Sequence, residues 1–407
     1  MSGPLSGIKV VELATFVAAP VVGRMLADLG ADVIKVEPPE GDAWRRTGIS
    51  YLPRFSAEEN PVFDIYNTGK KHISLNLKTP EGMDALLRLL ADADVFITNT
   101  RVKSLEKLGL DYPSLKEKFP RLIYAIVQGY GPKGPDKDKP AFDTTAFWSR
   151  GGFLRDMSPL NEHYTPVSQP SGVGDTATGF LLLAEISSAL FNRTRTGKGD
   201  YVSSTLFHNG VFCFGCMNII TQRPFGKTYP ASRVDLGVPA GSYMCSDGEW
   251  VYFTLANAAK TVPAVCKMIG REDLLTDPGF QPAQRYKNRH IYYPIFRDAF
   301  ASQPSSHWLK LADELDITFV RMAHFADVSE DPQAWENGYV EHVTFKNGAV
   351  DVMPASPIEM ESCNPPKTVP APLNGHDTAE ILASLGYTPE QIEAMLASGA
   401  AVKAPEA

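Results

Sequence analysis

The residues with the plainest chemical promise lie in the stretch Pro170-Ser-Gly-Val-Gly-Asp-Thr-Ala-Thr-Gly179. It reads as a loop that delivers one carboxylate, Asp175, to the start of a long apolar helix. Gly172 and Gly174 precede the Asp and permit backbone conformations with positive φ. Behind it runs Thr-Ala-Thr-Gly-Phe-Leu-Leu-Leu-Ala-Glu-Ile, a continuous helical pattern closed by Arg193, Arg195, Lys198 and Gly199. A carboxylate there feels the positive end of the helix and unpaired N–H groups, which favour its ionised form. Two roles are open to it, a plain N-cap or a nucleophile.

The remaining reactive residues are more scattered. Basic side chains collect near the ends of the early apolar runs: Arg45, Arg46, Lys70, Lys71, Lys78, Arg101, Lys103 and Lys107. Such a set suits an anionic ligand, although most lysines and arginines are simply solvated. Five cysteines in 407 residues fit a reducing cytoplasm, where this reading places the protein. Cys213 and Cys216 form a lone CxxC within an apolar segment, read as buried and structural, so no metal is expected. A net charge of −8 and a pI of about 5.6 argue against a nucleic-acid partner. No apolar run approaches the roughly 18 residues of a membrane span, and the first ten residues lack the plan of a signal peptide.

The elements that would position these groups begin with a strand–helix–strand unit. Residues 8–13 form a short β-rich run, Pro20 to Leu29 a helix with Pro at its start and Gly30 past its end, and Val33 to Glu37 the next strand. A unit of about 30 residues with this order implies a parallel sheet. Glu37 at the end of the second strand resembles a dinucleotide-binding start. The first turn, however, is Ala14-Thr-Phe-Val-Ala-Ala-Pro20 and lacks G-x-G-x-x-G, which disfavours NAD. Further strands are read at 73–77, 95–98 and 122–127, with helices at 79–91 and 105–118. Ligands of such sheets bind beyond the carboxyl ends of the strands, here 14–18, 37–46, 99–107 and 128–143.

Residues 143–152 read as a short helix, and Tyr201-Val202 as a strand before a helical stretch to about Thr221. A loop at Pro224–Pro239 marks a boundary. Ser242–Cys245 and Trp250–Leu255 form a β-hairpin around Asp247-Gly248. Helices follow at about 261–269, 291–301 and 306–315, making a smaller α+β unit. Capping-box patterns at Asp377–Glu380 and Thr388–Gln391 open two helices in the tail. The resulting division is 1–224 as a large domain carrying Asp175, 225–327 as a small α+β domain, and 328–407 as a segment returning to the large one.

With those residues in view, the chain resembles the family III CoA-transferases, the group that includes formyl-CoA transferase and α-methylacyl-CoA racemase. The likeness is carried by 4–13, 25–38 with Gly41-Asp42, Lys70–Gly82, Gly129-Tyr-Gly131, Gly174-Asp175, Thr196–Gly199 and Gly375-His376. Ala14–Pro20, Gly134–Asp138, Phe142–Phe147 and Gln333-Ala-Trp335 are similar to the family's phenyllactate and 2-hydroxyisocaproate branch, enzymes of amino-acid fermentation.

The resemblance implies an α/β fold with a Rossmann-like large domain and a smaller α+β domain, assembled as an interlocked homodimer. It implies that CoA moves between an acyl-CoA and a free carboxylic acid, an aromatic or branched 2-hydroxy acid, through an aspartyl-CoA thioester on Asp175. Coenzyme A is then a co-substrate. The implied CoA contacts are Val17, Ala18, Lys78, Asn99, Thr100, Arg101, Lys107, Ala141, Phe142 and Asp143. Backbone N–H groups near Gly172–Gly174 or Val17–Ala18 would serve the developing oxyanion. The chain departs from formyl-CoA transferase at Val17, where that enzyme has Gln, and in lacking a glycine-rich loop at 238–243, which disfavours oxalate. Phe142 stands where the racemase has His. An acyl-CoA racemase and a non-catalytic acyl-CoA binding protein are the competing readings. Phe16, Phe142, Phe147, Trp148 and Phe153 are either pocket or core.

Overall fold

The computed structural model describes residues 3–47, 55–56, 59–158, 167–226 and 237–405. The chain divides into two compact units, one made of 1–152, 169–218 and 331–407, the other of 153–168 and 219–330.

In the first unit the short apolar runs are strands: β1 (Lys9–Leu13), β2 (Asp32–Glu37), β3 (Lys71–Leu75), β4 (Val95–Thr98), β5 (Ile123–Gln128) and β6 (Tyr201–Thr205). All six are parallel, in the order β3-β2-β1-β4-β5-β6. Strands covered on both faces need few polar residues. One apolar cluster accordingly gathers Val11, Ile73, Phe96 and Tyr124 on one side, and a second gathers Val10, Val33, Ile97 and Ala125 on the other. The chain reverses direction between β1 and β4, which opens a crevice beyond their carboxyl ends.

The helix Pro20–Asp28 follows β1, and the helix Val173–Thr196 packs against it. Gly179 permits that approach. A Cβ there would meet Val21 Cγ1 at 2.2 Å and the Ala18 carbonyl oxygen at 2.8 Å. The Asp175 helix is thereby pressed onto the turn after β1. Arg193, near its far end, pairs with Asp94 before β4 at 2.7 Å, which fixes the other end of the helix to the sheet.

The second unit holds β7 (Gly241–Met244), β8 (Trp250–Phe253) and β9 (Phe319–Arg321), an antiparallel sheet. The Asp-Gly hairpin is present, and β9 joins it from far along the chain, Phe253 pairing with Phe319, a pairing no local signal announces. Tyr243, Val251, Phe253, Phe296, Phe300 and Trp308 make its core. Of the expected boundary loop, residues 227–236 lie outside the described residues.

The tail carries a hairpin that the sequence reading missed, β10 (Val340–Thr344) with β11 (Val350–Pro354). β12 (Ala401–Val402) then adds antiparallel to β3 at the edge of the large sheet. The Thr388–Gln391 capping box forms as expected. The Asp377 one does not: its carboxylate accepts the His72 N–H at 2.7 Å instead, tying the tail to β3. No helix among the described residues is long and apolar enough to cross a membrane. None of their His, Cys, Asp and Glu side chains form a group of three or more suited to a metal ion.

Candidate active site

A cavity of about 540 Å³ opens at the reversal point of the large sheet. Thr15, Phe16 and Ala18 line it from the end of β1, Asn99–Ser104 from the end of β4, and Ile126–Gly129 from β5. Lys137–Phe142, Asp175 and Leu206 complete it. The ends of β1 and β4 are clasped together: the Thr15 N–H donates to Asn99 Oδ1 at 3.1 Å, and Asn99 Nδ2 donates to the Thr15 carbonyl at 2.6 Å. A side-chain amide suits this clasp because it donates and accepts at once.

Asp175 is partly buried and sits in the first turn of its helix, three residues past Gly172, which occupies the cap position with φ +81°. The side chain therefore caps nothing. Among the described residues its carboxylate has no hydrogen-bond or ion-pair partner. The expectation of a readily ionised group is overturned: burial, and then the negative charge of Asp143, push its pKa up to about 7. Desolvation outweighs the helix end.

Asp143 explains the loop that precedes the nucleophile candidate. Its Oδ2 accepts the Gly172 N–H at 2.9 Å, and the Gly174 N–H also faces the carboxylate. Its own pKa rises through burial, opposed by those two N–H groups. A Cβ on Gly174 would lie 2.3 Å from Asp143 Oδ1 and 2.5 Å from Phe147 Cγ, so only glycine fits. This corrects two expectations. Asp143 is buried and turned to the loop rather than lining the cavity, and the Gly172 N–H is already engaged. By contrast, the Val17 and Ala18 N–H groups find no acceptor among the described residues.

Of the other expected contacts, Ala18, Asn99, Thr100, Arg101, Ala141 and Phe142 line the cavity, whereas Val17, Lys78 and Lys107 do not. Val17 is buried, its Cγ1 facing Gly172. Several basic residues are committed elsewhere. Lys70 pairs with Glu12 at 2.7 Å, Arg45 with Glu37 at 2.7 Å, and Lys71 with Glu380 at 3.1 Å. Lys103 lines the cavity but pairs with Asp138 at 2.9 Å. Glu37, the acid that suggested a dinucleotide, is buried against Arg45 and His72 and held well below the usual carboxylate range; burial opposes the shift and their hydrogen bonds overcome it. It has no oxygen left for a ribose. Arg101 and Lys137 are exposed cations of the cavity with no ion-pair partner among the described residues.

The aromatic residues divide between rim and core. Phe142 is 54% exposed and meets Phe16 edge-on at 5.4 Å. Phe147 and Trp148 are core. Phe16 carries an outlier: its φ is +64°, in the left-handed region. For a side chain of this size that conformation costs about 1–2 kcal/mol. Tyr66, which the sequence reading missed, places its hydroxyl against Thr176 and 3.1 Å from where a Cβ on Gly172 would lie. Cys213 and Cys216 are exposed, not buried as expected, because the helices Leu206–Cys213 and Gly215–Ile220 turn both outward.

The crevice at the reversal point of the parallel sheet thus brings exposed cations together with the Asp175 carboxylate, which has no partner among the described residues, a lining that suits an anionic small molecule. The model of CoA-transferase family III matches residues 5–378. The (R)-2-hydroxy-4-methylpentanoate CoA-transferase of Clostridioides difficile is 38% identical over 391 residues, 95% of this chain and 97% of the relative. The cinnamoyl-CoA:phenyllactate CoA-transferase of Clostridium sporogenes is 37% identical over 393 residues, 95% of each. Among solved structures, a CAIB/BAIF family protein from Brucella suis aligns with a TM-score of 0.78 at 30% identity, covering 95% of this chain and all of that one. A mutant of Rv3272 from Mycobacterium tuberculosis aligns at 0.81 and 28%, covering 94% and 99%. The chain belongs to CoA-transferase family III and is an enzyme of that class.

Proposed function

We propose that the protein transfers CoA between an acyl-CoA and a free 2-hydroxy acid with an aromatic or branched side chain, with Asp175 as nucleophile. The observation that carries this reading is a carboxylate without a partner among the described residues, in a cavity that also presents Arg101 and Lys137 to an anion. The names of the two relatives above, and the Phe16–Phe142 pair at the rim, support the acid class.

The steps balance without a redox partner or a net proton. An Asp175 oxygen attacks the thioester carbonyl, the C–S bond breaks, and CoA leaves as a thiolate with a mixed anhydride behind it. The thiolate attacks the Asp175 carbonyl of that anhydride and expels the donor carboxylate, leaving an aspartyl-CoA thioester. The acceptor carboxylate then runs the exchange in reverse, and Asp175 is released. One difficult displacement becomes four acyl transfers. The tetrahedral oxyanions fall to the open Val17 and Ala18 N–H groups. Ala18, Asn99, Thr100, Arg101, Ala141 and Phe142 hold the CoA ester, with Lys137 added by the cavity. Asp143 shapes the loop.

A second copy of the chain is the expected partner, in the interlocked arrangement of two domains per chain. Phe180, Leu181 and Phe191 on the Asp175 helix, and Val211 and Phe212 after it, are exposed apolar side chains that support it. The test of function is CoA transfer from phenyllactyl-CoA to 2-hydroxy-4-methylpentanoate, with oxalate as a control acid and solvent deuterium as a reporter. Transfer to the hydroxy acid and not to oxalate is expected. Deuterium entering the acyl α-carbon without any acceptor acid would instead make the protein a racemase. Binding of the ester without either reaction would make it a binding protein.

A further inference from the structure

Behind the turn that follows β1 lies a fully buried chain of ions that the reaction does not use. Lys70 Nζ reaches Glu12 Oε2 at 2.7 Å and the Pro20 carbonyl at 2.8 Å. Lys35, opposite Glu12 in the β1–β2 register, reaches Glu12 Oε1 and the Ala14 carbonyl, each at 2.9 Å, and Asp42 Oδ2 at 3.0 Å. Asp42 continues the chain: its backbone N–H donates to Glu37 Oε2 at 2.9 Å, and Glu37 holds Arg45. Three carboxylates thus meet three cations, none of the carboxylates or lysines being exposed. Isolated charges would not survive such burial, and a balanced set of close ion pairs does; the Lys35–Asp42 contact is an ion pair rather than a hydrogen bond.

The end of this chain touches the cavity. Asp42 Oδ1 accepts the Phe16 N–H at 3.2 Å and the Trp44 N–H at 2.9 Å. Phe16 is the residue with φ +64°, and the two N–H groups after it, on Val17 and Ala18, find no acceptor among the described residues although both residues are buried. In a dinucleotide-binding turn glycines supply the unusual backbone; here a phenylalanine adopts it. Something must hold it there, because such strain persists only when the surroundings over-determine it. The acceptor available to the Phe16 N–H is Asp42, and Lys35 fixes Asp42 from behind.

We propose that Asp42 is a positioning residue for the reaction: backed by Lys35, it holds the Phe16 N–H, and with it the left-handed bend that leaves the Val17 and Ala18 N–H groups open to a substrate oxygen. The inference rests on the reading of Asp175 as nucleophile. The competing account makes Asp42 only the cap of the short helix Ala43–Arg46.

The two accounts part in a single turnover. Wild type and the Asp42→Asn and Asp42→Ala variants are mixed with phenyllactyl-CoA, quenched, and read by intact mass for both the rate and the final fraction of protein modified. Asp42→Ala is expected to slow modification 10–100-fold with the final fraction unchanged, since part of an oxyanion site is displaced. Asp42→Asn, which keeps an acceptor for Phe16 but not the charge for Lys35, should fall between. Modification at the wild-type rate, with or without a lower final fraction, overturns the proposal and leaves Asp42 a cap. If both variants fail to fold, Phe16→Val against Phe16→Leu decides. A β-branched residue resists the left-handed region, so Val at least tenfold slower than Leu supports the proposal and equal rates overturn it. Wild type that is never modified while it turns over the ester sinks the nucleophile reading itself, and this inference with it.

Discussion

Replacing Asp175 by Asn is expected to make the protein more stable at pH 8 while abolishing transfer. The fold raises this carboxyl from the ordinary 3.8 to about 7. A roughly three-unit shift at about 1.4 kcal/mol per unit corresponds to about 4 kcal/mol. Asp175 is partly exposed, so solvent screening reduces this to roughly 2 kcal/mol. The sign follows from linkage: the folded state binds the proton more tightly than the unfolded chain, so the ionised group opposes folding. That penalty is complete above about pH 7, shrinks as pH falls from there towards the ordinary aspartate value, and vanishes below it. Asn carries no such penalty at any pH. With an unfolding entropy that scales with the 407 residues, melting temperatures of the two proteins, at one protein concentration, should therefore differ by about 2–3 °C at pH 8, and the gap should close as the pH is lowered towards 4. An Asn variant no more stable than wild type at pH 8, or a gap that ignores pH, would refute the idea that burial and Asp143 hold this carboxyl up.

Three further outcomes follow from the same geometry. The rate of Asp175 modification should rise about tenfold per unit below pH 7 and level off above it, because only the carboxylate attacks; a flat profile from pH 5 to 8 in quenched-flow measurements would contradict this. Gly174→Ala forces a Cβ to 2.3 Å from Asp143 Oδ1 and should destabilise the protein by at least about 2 kcal/mol in urea unfolding, with transfer lost. Arg101→Ala should raise the KM for CoA esters about 10–100-fold with kcat little changed, whereas Lys78→Ala and Lys107→Ala, which lie off the cavity, should shift it less than about threefold. Steady-state kinetics that rank the three alike would mean that the CoA path runs elsewhere.

What could be read from the sequence was whatever local chemistry dictates. β1, β4, β5 and the Asp175 helix came from apolar periodicity and caps, and their order gave a parallel sheet with ligands at its carboxyl ends. What escaped was set by distance along the chain or by burial. β9 pairs with β8 across the helices between them, and β12 with β3 from the opposite end of the chain, where no spacing rule reaches. Asp377 looked like a cap because the competing donor, the His72 N–H, is invisible in sequence. Arg45 and Lys70 looked like anion ligands because a basic residue beside a strand end reads the same whether solvated or buried in an ion pair. Asp175 was read as easily ionised from the helix end alone; its burial and the approach of Asp143 depend on tertiary packing. Tyr66 carried no signal at all, standing in an ordinary segment before Asn67.

The central claim is that the Asp175 carboxylate is converted to a mixed anhydride and then to an aspartyl-CoA thioester. Incubation with phenyllactyl-CoA, followed by hydroxylamine or borohydride and peptide mass spectrometry, tests it directly. The account predicts modification at Asp175 that requires the ester and is absent in Asp175→Ala. An unmodified Asp175 in protein that is demonstrably turning over the ester would contradict it.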